Sequence, residues 1–186
     1  MASDIDREVV SNFALRVRAF DLGSPQMRRT ITVAITVSDI NDQTPTFNPT
    51  SYSALVREDV PESTEVLTVF AFDNDEPGNP NSEIRYSITE GNTNSHFNID
   101  EMSGVITVIS GLDFETITSY TLTILAVDQG SPSREGSATA VITVTNVNDV
   151  PPTVQGSVNI TLSEFFPVRA EVVDYDATDG DTGTIM

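Results

Sequence analysis

Set against itself, this sequence repeats with a period of 107 residues. "AFDLGSP" at 19–25 returns as "AVDQGSP" at 126–132, "DRE" at 6–8 as "DFE" at 113–115, and "SDIND" as "TNVND", which carries Asn41 onto Asn148. Fixed spacing across three separate motifs marks a structural unit, not chance similarity. A further copy begins before residue 186: "ALVRED" around Glu58 finds a counterpart in "TLSEFF" around Glu164, and "AFDND" one in "VVDYD". The organisation read from this is the C-terminal part of one repeat at 1–45, a whole repeat at 46–150, and the N-terminal part of another at 151–186.

Within 46–150 the runs "SALV", "EVLTVFAF", "EIRYSI", "FNID", "GVITVI", "YTLTILAV" and "ATAVITV" read as seven short strands. They alternate or carry β-branched residues, and Asp, Asn, Gly and Pro clusters that favour turns separate them. Helical periodicity of useful length is absent. Seven antiparallel strands in about 100 residues without Cys or Trp predict an all-β fold, a Greek-key sandwich of immunoglobulin-like architecture repeated in series. Alternation turns Leu122, Ile124 and Ala126 inward on one strand and Ala140, Ile142 and Val144 inward on the next.

The charge is lopsided: 9 Arg, no Lys, and 28 Asp plus Glu give a formal net charge of -19. Nucleic acid is excluded as a partner, because holding phosphates requires clustered cations. Alternating apolar patterns argue against a disordered acidic tail, which leaves a solvated surface or carboxylates that await metal ions. Without Cys there are no disulfides and no thiolate metal sites. No run of about 20 apolar residues and no basic-then-apolar leader is present, and neither absence assigns a compartment. The sequon at Asn159 would carry a glycan on a secreted chain.

The acids fall at strand ends, which a sandwich gathers at two poles. Asp73, Asp75 and Asp128 share one pole with the "DIND" that precedes the repeat; Glu58, Asp113 and Glu115 belong to the other, beside "NVND". Taken singly, an Asp-rich turn needs no metal, since its side chains accept hydrogen bonds from neighbouring amides. Several carboxylates in one poorly solvated joint repel one another unless cations intervene. Hard oxygen donors in that number suit calcium. Zinc fits poorly with one His and no Cys. An EF-hand fails, because position twelve from Asp73 is Ile84 and from Asp174 is Ile185, where a bidentate Glu is required.

With these motifs in view, the chain resembles the cadherins. "DINDQTP" and "NVNDVPP" are similar to that family's linker pattern Asp-x-Asn-Asp-Asn-x-Pro, and "DRE", "LDFE", "AFDND", "VVDYD", "AVDQGSP" and "AFDLGSP" to its other ligand motifs. The resemblance implies extracellular sandwich repeats in series, joined by calcium, on the cell-surface side of the plasma membrane. It also implies a membrane-anchored parent glycoprotein and adhesion through other cadherin ectodomains, homophilic or heterophilic. By the same resemblance the first joint takes Asp6, Glu8, Asn41, Asp42, Asp73, Asp75 and Asp128, with backbone carbonyls of Ile40, Gln43 and Asn81. The second takes Glu58, Asp113, Glu115, Asn148, Asp149, Asp174 and Asp176, with carbonyls of Val147 and Val150.

There are departures from the pattern: Gln43 and Val150 replace the last linker Asn, and Asn146 replaces the first linker Asp. The truncated outer repeats imply one well-formed group of sites per joint, the other being impaired. Strand-swapping cadherins insert a Trp, which this chain lacks, so a calcium-stiffened spacer is the expected role.

An enzyme built on Asp73 and Asp75, like the Asp-x-Asp of glycosyl-transferring enzymes, requires an α/β nucleotide fold, and no phosphate loop or nucleophile and base pair is present. His96, the single His, reads as a surface or packing residue. A sandwich repeat from a microbial surface protein would share the fold and the calcium chemistry. A membrane span and cytoplasmic tail in the parent gene would separate the two.

Overall fold

The computed structural model describes residues 4–154, 160–162, 164–165, 167 and 177–181. Its strands are β1 (Asn12–Phe20), β2 (Arg28–Thr36), β3 (Thr46–Phe47), β4 (Ser51–Arg57), β5 (Glu65–Thr68), β6 (Ala71–Phe72) and β7 (Arg85–Glu90), followed by β8 (Phe97–Ile99), β9 (Val105–Val108), β10 (Ser119–Val127), β11 (Glu135–Thr145), β12 (Thr153–Val154) and β13 (Ala177–Thr178). No helix among the described residues is long and apolar enough to cross a membrane.

One sheet has the order β4, β11, β10, β7 and a second β5, β9, β8; β3 pairs with β6. The all-β sandwich expected from the strand signals is what forms, with one change of direction. Whereas β10 runs antiparallel to both β11 and β7, β4 lies parallel to β11, from Ser51 opposite Thr139 to Arg57 opposite Thr145. With β5 and β6 counted as one, seven strands alternate in direction, so the first and last must point the same way. Setting them side by side lets the chain enter at one pole and leave at the other.

The run "EVLTVFAF" divides into β5, which pairs with β9, and β6, which pairs with β3. Tyrosines satisfy the backbone at the crossing. The Tyr52 hydroxyl accepts from the Phe70 amide at 3.1 Å and donates to its carbonyl at 3.0 Å, and the Tyr86 hydroxyl accepts from the Ala71 amide at 2.9 Å. No amide is orphaned as the chain changes sheets.

Period-two alternation sends Leu122, Ile124 and Ala126 of β10 and Ala140, Ile142 and Val144 of β11 into the core, all at most 1% exposed. Phe97, Ile106 and Val108 meet them from the other sheet, and Tyr120 stands edge-on to Phe97 with ring centroids 4.9 Å apart. His96 tilts against Tyr120 and its Nδ1 contacts the hydroxyl there, a packing role. At Gly91, with φ of +81°, a Cβ would lie 1.8 Å from the Thr121 carbonyl oxygen, so this turn requires glycine.

The hairpin of β1 and β2 repeats β10 and β11 at the same 107-residue offset. Phe13, Leu15 and Val17 stand opposite Ile35, Val33 and Ile31, where β10 and β11 pair Tyr120, Leu122 and Ile124 with Ile142, Ala140 and Ala138. The face that is core in the second pair is open in the first.

If the alternation defines the core, Leu122→Ala lowers the unfolding free energy by about 2–5 kcal/mol. Leu55→Ala, on the outer face of β4, changes it by less than about 0.5 kcal/mol. Urea denaturation checks both, and equal losses would contradict this placement.

Candidate metal centres at the ends of the sandwich

The linker that follows β2 is fastened to the sandwich by its own polar groups. Asn41 donates from Nδ2 to Asp128 Oδ1 at 3.1 Å and to the Pro132 carbonyl at 2.6 Å, and its own carbonyl accepts from Arg134 Nε at 3.0 Å. The Gln43 amide donates to the Asp75 carboxylate at 3.3 and 3.4 Å. Two glycines permit the close approach: a Cβ on Gly130 would lie 2.2 Å from Asn41 Nδ2, and one on Gly136 1.9 Å from the Pro45 carbonyl oxygen.

At this end Glu8, Asp39 and Asp75 bring carboxylate oxygens within 4.8 Å of one another. The three come from the leading segment, the linker and the loop after β6. Asp75 is fully buried and Asp128 is 1% exposed. Asp73 accepts the Asp75 amide at 2.9 Å, and Asp128 accepts the Gly130 and Arg134 amides at 3.0 Å each. Donors run out at two buried oxygens: Asn41 Oδ1 and Asp73 Oδ2 meet none. A buried oxygen without a donor is costly unless a cation faces it.

Two neighbouring carboxyls respond in opposite ways. Burial pushes Asp75 up, the charges of Asp73 and Asp39 add to this, and the Gln43 and Asp42 amides only partly offset it. Burial also works against the Asp39 anion, but Asn79, Asn81, the Glu76 amide and Arg7 all donate to it and hold its pKa below the ordinary value. Asp6 and Asp42 stand outside the cluster and are exposed. Asp6 Oδ1 accepts the Val9 amide at 3.1 Å, and Asp42 accepts Gln43 Nε2 at 2.8 Å. Asn81 turns its side chain to Asp39 Oδ2 at 2.8 Å.

At the opposite pole Glu58, 6% exposed, receives the Val147 and Phe114 amides at 2.6 Å each. Its carboxylate comes within 4.8 Å of those of Glu115 and Asp149. Burial raises the pKa of both Glu115 and Asp149, and the negative charges of Glu58 and Asp181 raise each further. Asp113 caps the turn below, accepting the Thr116 amide at 3.0 Å, and Asn148 is exposed.

Asp174 and Asp176 lie outside the described residues. The arrangement of Asp73 and Asp75 recurs at Asp179 and Asp181, which follow β13 as the first pair follows β6. The Asp181 amide donates to Asp179 Oδ1 at 3.1 Å, and Asp181 Oδ2 accepts the Val150 amide at 3.0 Å, as Asp75 accepts that of Gln43. Asp181 Oδ1 is another buried oxygen that meets no donor. The signal lay in "AFDND" against "ATDGD", which keeps Ala71, Asp73 and Asp75 in step with Ala177, Asp179 and Asp181; "VVDYD" matches the acids but loses the alanine of the short strand. Asp39 was also absent from the expected ligands, although it opens the linker motif. Every donor at both poles is oxygen, the set that hard divalent cations take.

The family model described as Cadherin domain matches residues 52–145. The chain belongs to the cadherins. It is 41% identical over 152 residues to mouse Protocadherin Fat 4, covering 82% of this chain and 3% of that protein. To the Caenorhabditis elegans Cadherin EGF LAG seven-pass G-type receptor fmi-1 it is 40% identical over 185 residues, 99% of this chain and 7% of that protein. Among solved structures, mouse Cadherin-23 EC22-24 superposes with a TM-score of 0.82 at 35% identity, over 97% of this chain and 57% of that one. The cadherin chain thus spans 3 to 7% of the length of these two relatives. It is a repeat segment of the adhesion family and not an enzyme.

Raised carboxyl pKa values favour folding below the ordinary carboxylate pKa, and that contribution is lost as pH rises through the raised value. In metal-free buffer at pH 7, Asp75→Asn keeps the shape and removes the repelled charge. Its melting temperature rises by about 4 °C, equivalent to roughly 1 kcal/mol. A fall would show that the hydrogen bonds from the linker already stabilise the Asp75 anion.

Proposed function

We propose that this segment is a calcium-stiffened spacer in the extracellular part of a cadherin adhesion protein, built as 1–45, 46–150 and 151–186 with a metal joint on each side of the whole repeat. The observation that carries the reading is the meeting of Glu8, Asp39 and Asp75 from three parts of the chain, beside buried oxygens of Asn41 and Asp73 that lack donors. Glu8, Asp39, Asn41, Asp73, Asp75 and Asp128 would hold ions at the first joint; Glu58, Glu115, Asp149, Asp179 and Asp181 would hold them at the second. Asp6 and Asp42 would complete the first set, and Asp113 and Asn148 the second, from the turns and linkers on which they stand.

Calcium, when bound, supplies the positive charge that these carboxylates lack. The protein's part is to place them. The linker amide of Gln43 and the side chain of Asn41 tie the linker to loops whose acids would otherwise repel it. Pro45 limits the freedom of the connection. With its charges neutralised, the joint resists swivelling, and a series of such joints keeps an ectodomain extended between the membrane and its binding tip. Cadherin ectodomains of the same or another kind are the partners of the parent protein under this reading.

Thermal unfolding across a calcium titration, with magnesium as control, tests the proposal. An ion that binds only the folded joint adds about 2.7 kcal/mol at a hundredfold excess over Kd. The melting temperature rises selectively with calcium, and Asp75→Ala diminishes that rise. A melting temperature indifferent to calcium would sink the reading.

A further inference from the structure

The two joints differ at one position in their shared motif: Arg7 of "DRE" stands where the second joint has Phe114 of "DFE". Arg7 Nε donates to Asp39 Oδ1 at 2.5 Å, and Nη2 donates to the Asn74 carbonyl at 2.9 Å and contacts Glu8 Oε1. The side chain is only 13% exposed and that of Asp39 5%. One guanidinium therefore touches the leading segment, the linker and the loop between Asp73 and Asp75. It holds two of the three carboxylates whose oxygens converge at this pole.

In the second joint, Phe114 contributes its backbone amide to Glu58 and packs its ring against the core. Among the described residues, no salt bridge reaches Glu58, Glu115 or Asp149. Among the described residues, a guanidinium balances charge at one joint and none does so at the other.

We propose that Arg7 is a tethered cation that orders the first joint in the absence of metal and competes with calcium for Glu8 and Asp39. This deepens the calcium reading and rests on it. A guanidinium seated on these carboxylates opposes a divalent ion there, because it already occupies part of their lone pairs and the two positive charges repel. Loading the first joint therefore works against Arg7, whereas among the described residues no cation pairs with Glu58, Glu115 or Asp149 at the second. The two joints load at different calcium concentrations, the second at the lower one.

Amide hydrogen exchange followed across a calcium titration separates the joints, because residues 39–43 report the first and 145–150 the second. In the wild type, protection at 39–43 is present without calcium and increases with a midpoint above that at 145–150. Arg7→Phe, which installs the residue of the second joint in the first, accelerates metal-free exchange at 39–43 and lowers the calcium midpoint there by roughly tenfold. Arg7→Lys retains the charge without the fork and falls between the two. Exchange in β10 and β11, which Arg7 does not touch, confirms that each variant is folded.

If Arg7→Phe leaves both the metal-free exchange and the midpoint at 39–43 unchanged, or raises that midpoint, the role assigned to Arg7 is overturned while the calcium reading stands. If calcium alters exchange at neither joint of the wild type, the calcium reading falls and the Arg7 proposal with it.

Discussion

Crowding of carboxylates at the strand ends is the constraint on which the rest of this structure turns. A sandwich gathers its loops at two poles, and here the loops at both poles are acidic. In a solvated turn such acids cost little, because water and nearby amides absorb the charge. At these poles the linker closes over them and Asp75 is left with no exposure to water. Backbone amides can satisfy some of the lone pairs, and those of Gln43, Asp75, Gly130 and Arg134 do so. They cannot satisfy all, as the oxygens of Asn41, Asp73 and Asp181 show.

The parallel pairing of β4 with β11 turns this local problem into a property of a chain of repeats. It places the start and the finish of the sandwich at opposite poles, so acids gather at each end: Asp73, Asp75 and Asp128 where the chain enters, Glu58 and Glu115 where it leaves. A pole becomes a complete cluster only when the neighbouring segment brings its own acids, as Glu8 and Asp39 do at the first. An antiparallel pairing of first and last strands would place both linkers at one pole and leave the other without a neighbour.

Much of this was legible in the sequence, because period-two alternation and turn residues act locally. The inward residues of β10 and β11 followed from alternation alone, and the poles followed from where the acids interrupt the strands. The direction of β4 was less accessible, since alternation defines a face and not a partner. The break between β5 and β6 was hidden for a similar reason: "EVLTVFAF" is uniformly strand-like, and the chain changes sheets where the hydroxyl of Tyr52, a distant residue, meets the backbone of Phe70. The linker motif does not reveal the role of Asp39, because that role depends on donors from two other places, Arg7 and the turn that carries Asn79 and Asn81.

Asp39 and Asp75 show why the burial of an acid does not by itself define its task. Both belong to the same cluster, and burial works against both anions. Asp39 is surrounded by side-chain donors, two amides and a guanidinium, that stabilise its charge without metal. Asp75 is faced by Asp73 and Asp39 and has only backbone amides in its favour. The first carboxylate is therefore held in place by the chain's own donors, while the second has more to gain from a cation beside it. Under the calcium proposal, a joint with one ordered carboxylate and one repelled carboxylate would keep its geometry when empty and still gain from an ion. Asn146 stands where the first joint has Asp39, and Phe114 where it has Arg7, so under the calcium proposal the order of the second joint would depend more fully on charge brought from outside.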